Sequence, residues 1–236
     1  MAGATRGLLL VVEGPEGAGK STQVARLGAR LTRGGRDHVE LREPGGTPLG
    51  ERIRALLLND AELEIAAAAE AALFIASRAQ LVAQVIRPAL GRGATVTLDR
   101  FFLSTYAYQV HGRGLDENSV RGANRLATGE LVPDLTILLT LSSAEGMRRA
   151  DERGARDRME SSGDEFHRRV EDAFTRFASL DWQAAHPECG PIVTVDGAGS
   201  PDQVEAAIAR VLAHRWPDIF SMHDSIDATH TPARVR

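Results

Sequence analysis

An α/β fold, built on a mostly parallel sheet with helices on both faces, follows from three features of the sequence. Short β-rich apolar runs alternate with longer stretches of helical periodicity along most of the chain. The first apolar run ends in a glycine-rich turn that opens directly into a helical pattern. With 236 residues, 43% apolar and 25% charged, the chain is long enough to bury a full core without disulfides.

Taken in order, Leu8 to Glu13 reads as the first strand, and Lys20 to Thr32 as a helix that stops before Gly34-Gly35. His38 to Arg42 is the second strand. Residues 62 to 86 are Ala-rich and carry Leu81/Val85 and Val82/Ile86 at i,i+4 spacing, which predicts one long helix ending before Pro88. Ala94 to Leu98 and Leu135 to Leu141 supply the third and fourth strands, with a helix beginning near Ser104 between them. Ile192 to Val195 is the fifth. Ser200, Pro201 and Gln203 form a capping box that starts a helix over 201 to 215, with Val204, Ala207, Ile208, Val211 and Leu212 on one face. Periodicity fades after that. A single domain over 1–217 and a tail over 218–236 are expected.

Charge and cysteine content narrow the function. The net charge is -4 and there is no extended basic arm, so no nucleic-acid partner is expected. The lone cysteine, Cys189, cannot pair within the chain and suits a reducing cytoplasm. The longest strongly apolar runs fall far short of the roughly 20 residues that span a bilayer, so no membrane association is expected. Of 28 basic residues, 27 are arginine and one is lysine, Lys20. That count excludes functions needing a second essential lysine, such as an NKxD guanine-reading motif.

Residues 14 to 21 read GPEGAGKS, a full match to the phosphate-loop pattern, set between a strand and a helix. Gly14, Gly17 and Gly19, with Pro15, Glu16 and Ala18 between them, let backbone N–H groups turn inward as an anion nest. Lys20 then reaches the β- and γ-phosphates of ATP, Ser21 offers a hydroxyl to Mg²⁺, and Thr22 follows in the first helical turn. The motif does not by itself choose between a kinase, an ATPase and a switch.

Other segments bear on the substrate. REPGGT at 42 to 47 ends the second strand, where Arg42 can meet an anion across the sheet's C-terminal edge; a Pro-Gly turn with a surface arginine is the plainer reading. Phe74 and Arg78 share a helical face, which suits a nucleobase with a phosphate nearby, although Phe74 also reads as ordinary core. TLDR at 97 to 100 puts Asp99 at a strand tip as a Mg²⁺ candidate, or as a cap for the next helix. Arg100 beside it can grip a phosphate bidentately. Ser104, Tyr108 and Gln109 in LSTYAYQ are suited to an uncharged base edge. Arg148, Arg149, Arg153, Arg156 and Arg158 are interleaved with acidic residues, which reads as a solvated helix face or as a lid over phosphates.

Together these segments resemble bacterial thymidylate kinase: EGPEGAGKST, REPGGT, the Phe74/Arg78 helix, LDR with LSTYAYQ, GRG at 112 to 114, PDLT at 133 to 136 and GMRRADERGARDRME, in order, over about residues 8 to 214. The resemblance implies a P-loop NTPase fold with a five-stranded sheet and a small lid over about 148–163. It also implies ATP-dependent phosphorylation of dTMP to dTDP with Mg²⁺, in a homodimer. It puts Lys20, Arg100 and Arg153 in catalysis, with Arg149 and Arg158 supporting the lid arginine at ATP. Glu16 is implied at the sugar 3′-hydroxyl, Arg42, Arg78 and Arg100 around the acceptor phosphate, and Phe74 on the base. Ser104 and Gln109 lie near the base and Tyr108 near C2′. No basic residue occupies 15 to 18, so the arginine finger is expected from the lid.

Three departures stand out from the family's pattern: Phe101-Phe102, Thr140 in the fourth strand, and Ala150-Asp151 in the lid. Rival readings are a kinase for another nucleoside monophosphate or a deoxynucleoside, with Glu43 or Asp99 as a base, and a P-loop ATPase switch.

Overall fold

The computed structural model describes residues 6–59, 63–153, 158–159 and 162–220, with backbone alone at 143, 150, 151 and 153. The strands fall within a residue of expectation at each end: β1 (Leu9–Glu13), β2 (His38–Arg42), β3 (Thr95–Asp99), β4 (Leu135–Thr140) and β5 (Ile192–Asp196). They form one sheet in the order β2-β3-β1-β4-β5, and every pairing is parallel. β1 and β3 are buried along their whole length, which is why both read as unbroken apolar runs rather than alternating ones. Leu9 and Val11 enter one core layer, and Leu10 and Val12 enter the other, as the two-residue strand period requires.

The connections are α1 (Lys20–Arg33), α2 (Pro48–Leu58), α3 (Ala67–Leu81), α4 (Arg87–Gly91), α5 (Phe102–Thr105), α6 (Glu117–Thr128), α7 (Ser143–Arg153), α8 (Asp164–Phe177), α9 (Leu180–Ala185) and α10 (Pro201–Arg215). All five strands end in a polar residue at the same edge: Glu13, Arg42, Asp99, Thr140 and Asp196. β1 has β3 on one side and β4 on the other, so the chain reverses direction across the sheet beside it, the usual place for a ligand cleft.

Two expectations about the long helix are corrected. It begins at Ala67 rather than at 62, and Pro88 does not end it. A π-turn over Val82–Ile86 joins α3 to α4, with the Arg87 N–H reaching back five residues to Val82 O. Pro88 then falls in the first turn of α4, where a missing N–H costs little. The joined run Ala67–Gly91 has 25 residues and contains an 18-residue window of mean hydropathy 1.3, so by length and composition it reaches spanning size, which the sequence runs did not suggest. It is a core helix: Leu81, Val82, Ile86, Ala89 and Leu90 pack into the main hydrophobic cluster.

The capping box at Ser200 forms as expected, with both reciprocal hydrogen bonds. Packing also extends past the expected boundary at 217. Arg36 Nη2 donates to Asp218 O at 2.6 Å, and Phe220 is buried in the second core layer. Residues 221–236 of the expected tail lie outside the described residues.

Candidate active site

Gly14, Gly17 and Gly19 all have positive φ, and the loop they shape sits against the start of α7. A Cβ on Gly17 would lie 2.3 Å from Gly146 O, and one on Gly146 would lie 2.6 Å from Glu16 O. Only two glycines allow this backbone-to-backbone approach. Lys20 Nζ donates to Pro15 O at 2.7 Å, across the loop. Burial, and then the charge of Arg100, lower the Lys20 pKa to about 8 against the opposing pull of Glu16, Asp99 and Glu13. At neutral pH the ammonium is charged and poised to gain from an anion. Ser21 Oγ donates to Asp99 Oδ2 at 2.5 Å, while Asp99 Oδ1 is buried with no partner among the described residues. Asp99 is therefore not a helix cap. Glu13 does that work, accepting from the backbone N–H groups of Phe101 and Ser104 at 2.6 and 3.0 Å.

From this loop a cavity of about 830 Å³ runs along the polar edge of the sheet. Its lining brings together Glu16 through Thr22 with Arg42, Phe74, Arg78, Asp99, Arg100, Ser104, Tyr108, Gln109 and Arg149. Gly14 and Pro15 are not part of that lining. Arg100 marks the middle, with φ 71, a left-handed backbone uncommon outside glycine. Its Nη2 donates to Glu16 Oε2 at 2.9 Å, its Nη1 to Ser104 Oγ at 3.0 Å, and its Cζ lies 5.3 Å from the Tyr108 ring centroid. Desolvation works against its charge, but Tyr108, Glu16, Asp99 and Glu13 outweigh it, so its pKa stands above the usual arginine value. Ser104 Oγ in turn donates to Glu13 Oε2 at 2.7 Å. Arg42 is exposed and paired with Glu51 at 3.0 Å.

Arg78 is where expectation and geometry part. It is 2% exposed, and all five N–H donors of its guanidinium are used inside the protein. Nε and Nη2 donate to Glu43 Oε2 at 2.8 and 2.6 Å, Nη1 to Thr105 Oγ1 and Asn124 Oδ1 at 2.9 and 2.5 Å, and Nη2 also to Phe101 O at 2.8 Å. Arg78 therefore has no donor left for an acceptor phosphate. It serves as a buried floor under the cleft. The Phe101-Phe102 departure belongs to the same arrangement, since Arg78 Cζ lies 4.9 and 5.4 Å from the two ring centroids.

The lid arginines separate as well. Arg149 Nη1 and Nη2 donate to Gly197 O and Ala198 O at 2.9 and 3.0 Å, tying α7 to the loop after β5. Arg158 is corrected: expected beside ATP, it is instead turned to the acceptor side. There Nη2 donates to Glu70 Oε2 at 2.6 Å and Nε to Leu57 O at 2.7 Å. Glu70 is fully buried, and leaving its carboxylate short of cationic partners would be costly. The Arg153 side chain lies outside the described residues, as do Gly154 and Arg156. Thr140, given no role from sequence, has its carbonyl bonded by Gly197 N at 2.8 Å.

Sequence reading missed Glu13 and Glu70 as organising carboxylates, Glu43 as the partner of Arg78, and the turn at Gly197–Pro201 as cavity lining. The turn had a signal: GAGSP follows a strand at the same polar edge as the phosphate loop. The carboxylates had none.

A parallel α/β sheet with a phosphate loop, and a nucleotide-sized cleft continuing past it to an aromatic ring, defines a P-loop phosphotransferase acting on a second, nucleotide-like substrate. Within that class the chain belongs to the thymidylate kinase family, whose model matches residues 12–208. It is 46% identical over 211 residues to a thymidylate kinase of Deinococcus radiodurans, covering 89% of this chain and 98% of that one. It is also 42% identical over 220 residues to one of Chlorobium luteolum, covering 89% and 99%, and 51% identical over 172 residues to one of Pseudomonas entomophila, covering 73% and 82%.

Proposed function

We infer that the chain transfers the γ-phosphoryl group of ATP to dTMP, giving ADP and dTDP. The observation that carries this reading is the single cavity joining the phosphate loop to Phe74 and Gln109, with Arg100 at the junction. The acceptor phosphate is already ionised at neutral pH, so the reaction needs alignment and charge neutralisation rather than a general base. Lys20 and the loop N–H groups hold the donor phosphates, and Arg100 bridges toward the acceptor phosphate. Arg42 has an exposed guanidinium at the same edge and can exchange Glu51 for phosphate. Phe74 offers its face to the base, Ser104, Tyr108 and Gln109 line the sugar and base end, and Glu16 sits within reach of a sugar hydroxyl.

Ser21 Oγ, paired with Asp99 Oδ2, and the buried Asp99 Oδ1, without a partner among the described residues, form a hard-oxygen donor set that fits Mg²⁺ held jointly with phosphates. When bound there it supplies neutralisation of phosphate charge. Arg153 is assigned as the arginine finger, closing with α7 over the transferring group and helping to exclude water. Arg149 sits between α7 and the loop after β5, at the donor's base end.

A homodimer is supported by adjacent apolar surfaces on three helices: Leu49 and Leu56 on α2, Ala68, Ala69, Ala72 and Ala76 on α3, and Leu126, 87% exposed, on α6. A lone buried thiol at Cys189 is in keeping with a reducing cytoplasm.

ADP release measured across dTMP, dUMP and AMP tests the function. Turnover that depends on the monophosphate and is fastest with dTMP is expected. ATP hydrolysis indifferent to any monophosphate would overturn it.

A further inference from the structure

Glu70 stands one helical turn before Phe74 on α3 and is 0% exposed. Gln109 Nε2 and Arg113 Nε both donate to its Oε1 at 3.1 Å, while Arg113 Nη2 and Arg158 Nη2 donate to its Oε2 at 3.0 and 2.6 Å. Burial pushes its carboxyl toward neutrality, but Arg113, Arg158 and Gln109 together hold it below the usual carboxylate range. It is therefore ionised, and an ionised carboxylate only accepts hydrogen bonds. The atom of Gln109 that faces it must be the amide nitrogen, so the orientation of that amide is settled by chemistry. Gln109 is 2% exposed and lines the cavity with Phe74, and its Oε1 makes no hydrogen bond among the described residues. An acceptor that lines the cleft with no protein partner is open to a hydrogen-bond donor on a ligand.

We propose that Glu70 is a positioning residue for base selection: it locks the Gln109 amide so that the cavity offers a hydrogen-bond acceptor to the base edge. This rests on the dTMP reading and deepens it. A pyrimidine with a ring N–H at N3 satisfies Gln109 Oε1. Cytosine presents a bare ring nitrogen there, so two acceptors oppose each other. Uracil carries the same N3–H as thymine, and Glu70 gives no preference between those two. The closing test uses that asymmetry, because a merely structural role would depress all substrates alike.

The experiment is steady-state kcat/KM for dTMP, dUMP and dCMP at saturating ATP, in the wild type and in Glu70→Gln. Glutamine can donate as well as accept, which frees the Gln109 amide to turn over. The dTMP-to-dCMP preference is expected to fall about ten-fold or more, mainly through the KM for dTMP, while the dTMP-to-dUMP preference stays within about two-fold. Gln109→Leu is expected to lose the same preference. If Glu70→Gln fails to fold because Arg158 is left unpaired, Glu70→Gln/Arg158→Met removes that charge and gives the same readout. Both preferences unchanged in a folded variant with a lowered melting temperature would make Glu70 structural and overturn the proposal. A wild-type enzyme inactive on dTMP would instead overturn the functional reading itself.

Discussion

At the acceptor end of the cavity, charges are buried and multiply bonded; along α7 they lie at or near the surface and their ion pairs are with near neighbours. Arg78 uses every donor it has, on partners from α5, α6 and the segments after β2 and β3. Glu70 draws Gln109, Arg113 and Arg158 onto one carboxylate. On α7, Arg148 pairs with Glu145 and Glu152, and Arg149 pairs with Glu145, at i,i+3 and i,i+4 spacing. Arg148, and then Arg149, hold the Glu145 carboxyl down to about 2, yet the site is exposed and screened. Buried networks fix one geometry before substrate arrives. Exposed pairs are screened and exchange readily for other partners.

That contrast can be broken from either side. The largest effect is expected on the exposed side. Arg153→Ala should lower kcat by about 10³- to 10⁵-fold with little change in the KM for dTMP, read by ADP release. A rise in KM alone would move Arg153 to substrate binding.

On the fixed side, Arg78→Met strands the buried Glu43 carboxylate and should cost about 3–5 kcal/mol in urea unfolding. The pH dependence sharpens this. Burial raises the Glu43 pKa even with Arg78 and its hydrogen bonds pulling it down. A carboxyl raised in the folded state binds more protons there than in the unfolded chain, so its contribution falls as pH climbs from the ordinary carboxylate value through the raised one. Without Arg78 that decline should steepen. An unchanged slope would show that the pair is not coupled.

Gly146→Ala addresses the join between the two regions. A methyl group there meets Glu16 O, so the start of α7 must shift. The expected loss is about ten- to a hundred-fold in kcat, with the fold retained. The smallest effect is expected for Arg148→Ala, which is itself exposed and whose partners are half-buried or exposed. Its unfolding midpoint at physiological salt should match the wild type.

What was legible in the sequence was local. The strands and the phosphate loop declare themselves within a dozen residues, because a strand tip, a glycine turn and a helix start are contiguous in the chain. Pro88 misled because a π-turn carries no composition signal, and the turn removes the conflict that a proline normally creates. Phe74 and Arg78 could be put on one face from their spacing alone. Nothing at Arg78 shows that Glu43, 35 residues away, and Asn124, 46 residues away, fill its donors. Glu70 is hidden for the same reason: an acidic residue in an Ala-rich helix looks like a surface charge until Gln109, Arg113 and Arg158 converge on it. Arg158 was read from its neighbours in the chain, and its partner is 88 residues distant.

The left-handed backbone at Arg100 sets stability against activity at a single codon. A residue with a Cβ held at φ 71 carries about 1–2 kcal/mol of strain that glycine would not. Arg100→Gly and Arg100→Ala both lose the guanidinium, so the glycine variant should melt higher than the alanine variant. A library of variants sorted only for folding would drift toward glycine at this position, and one sorted for phosphoryl transfer would return to arginine.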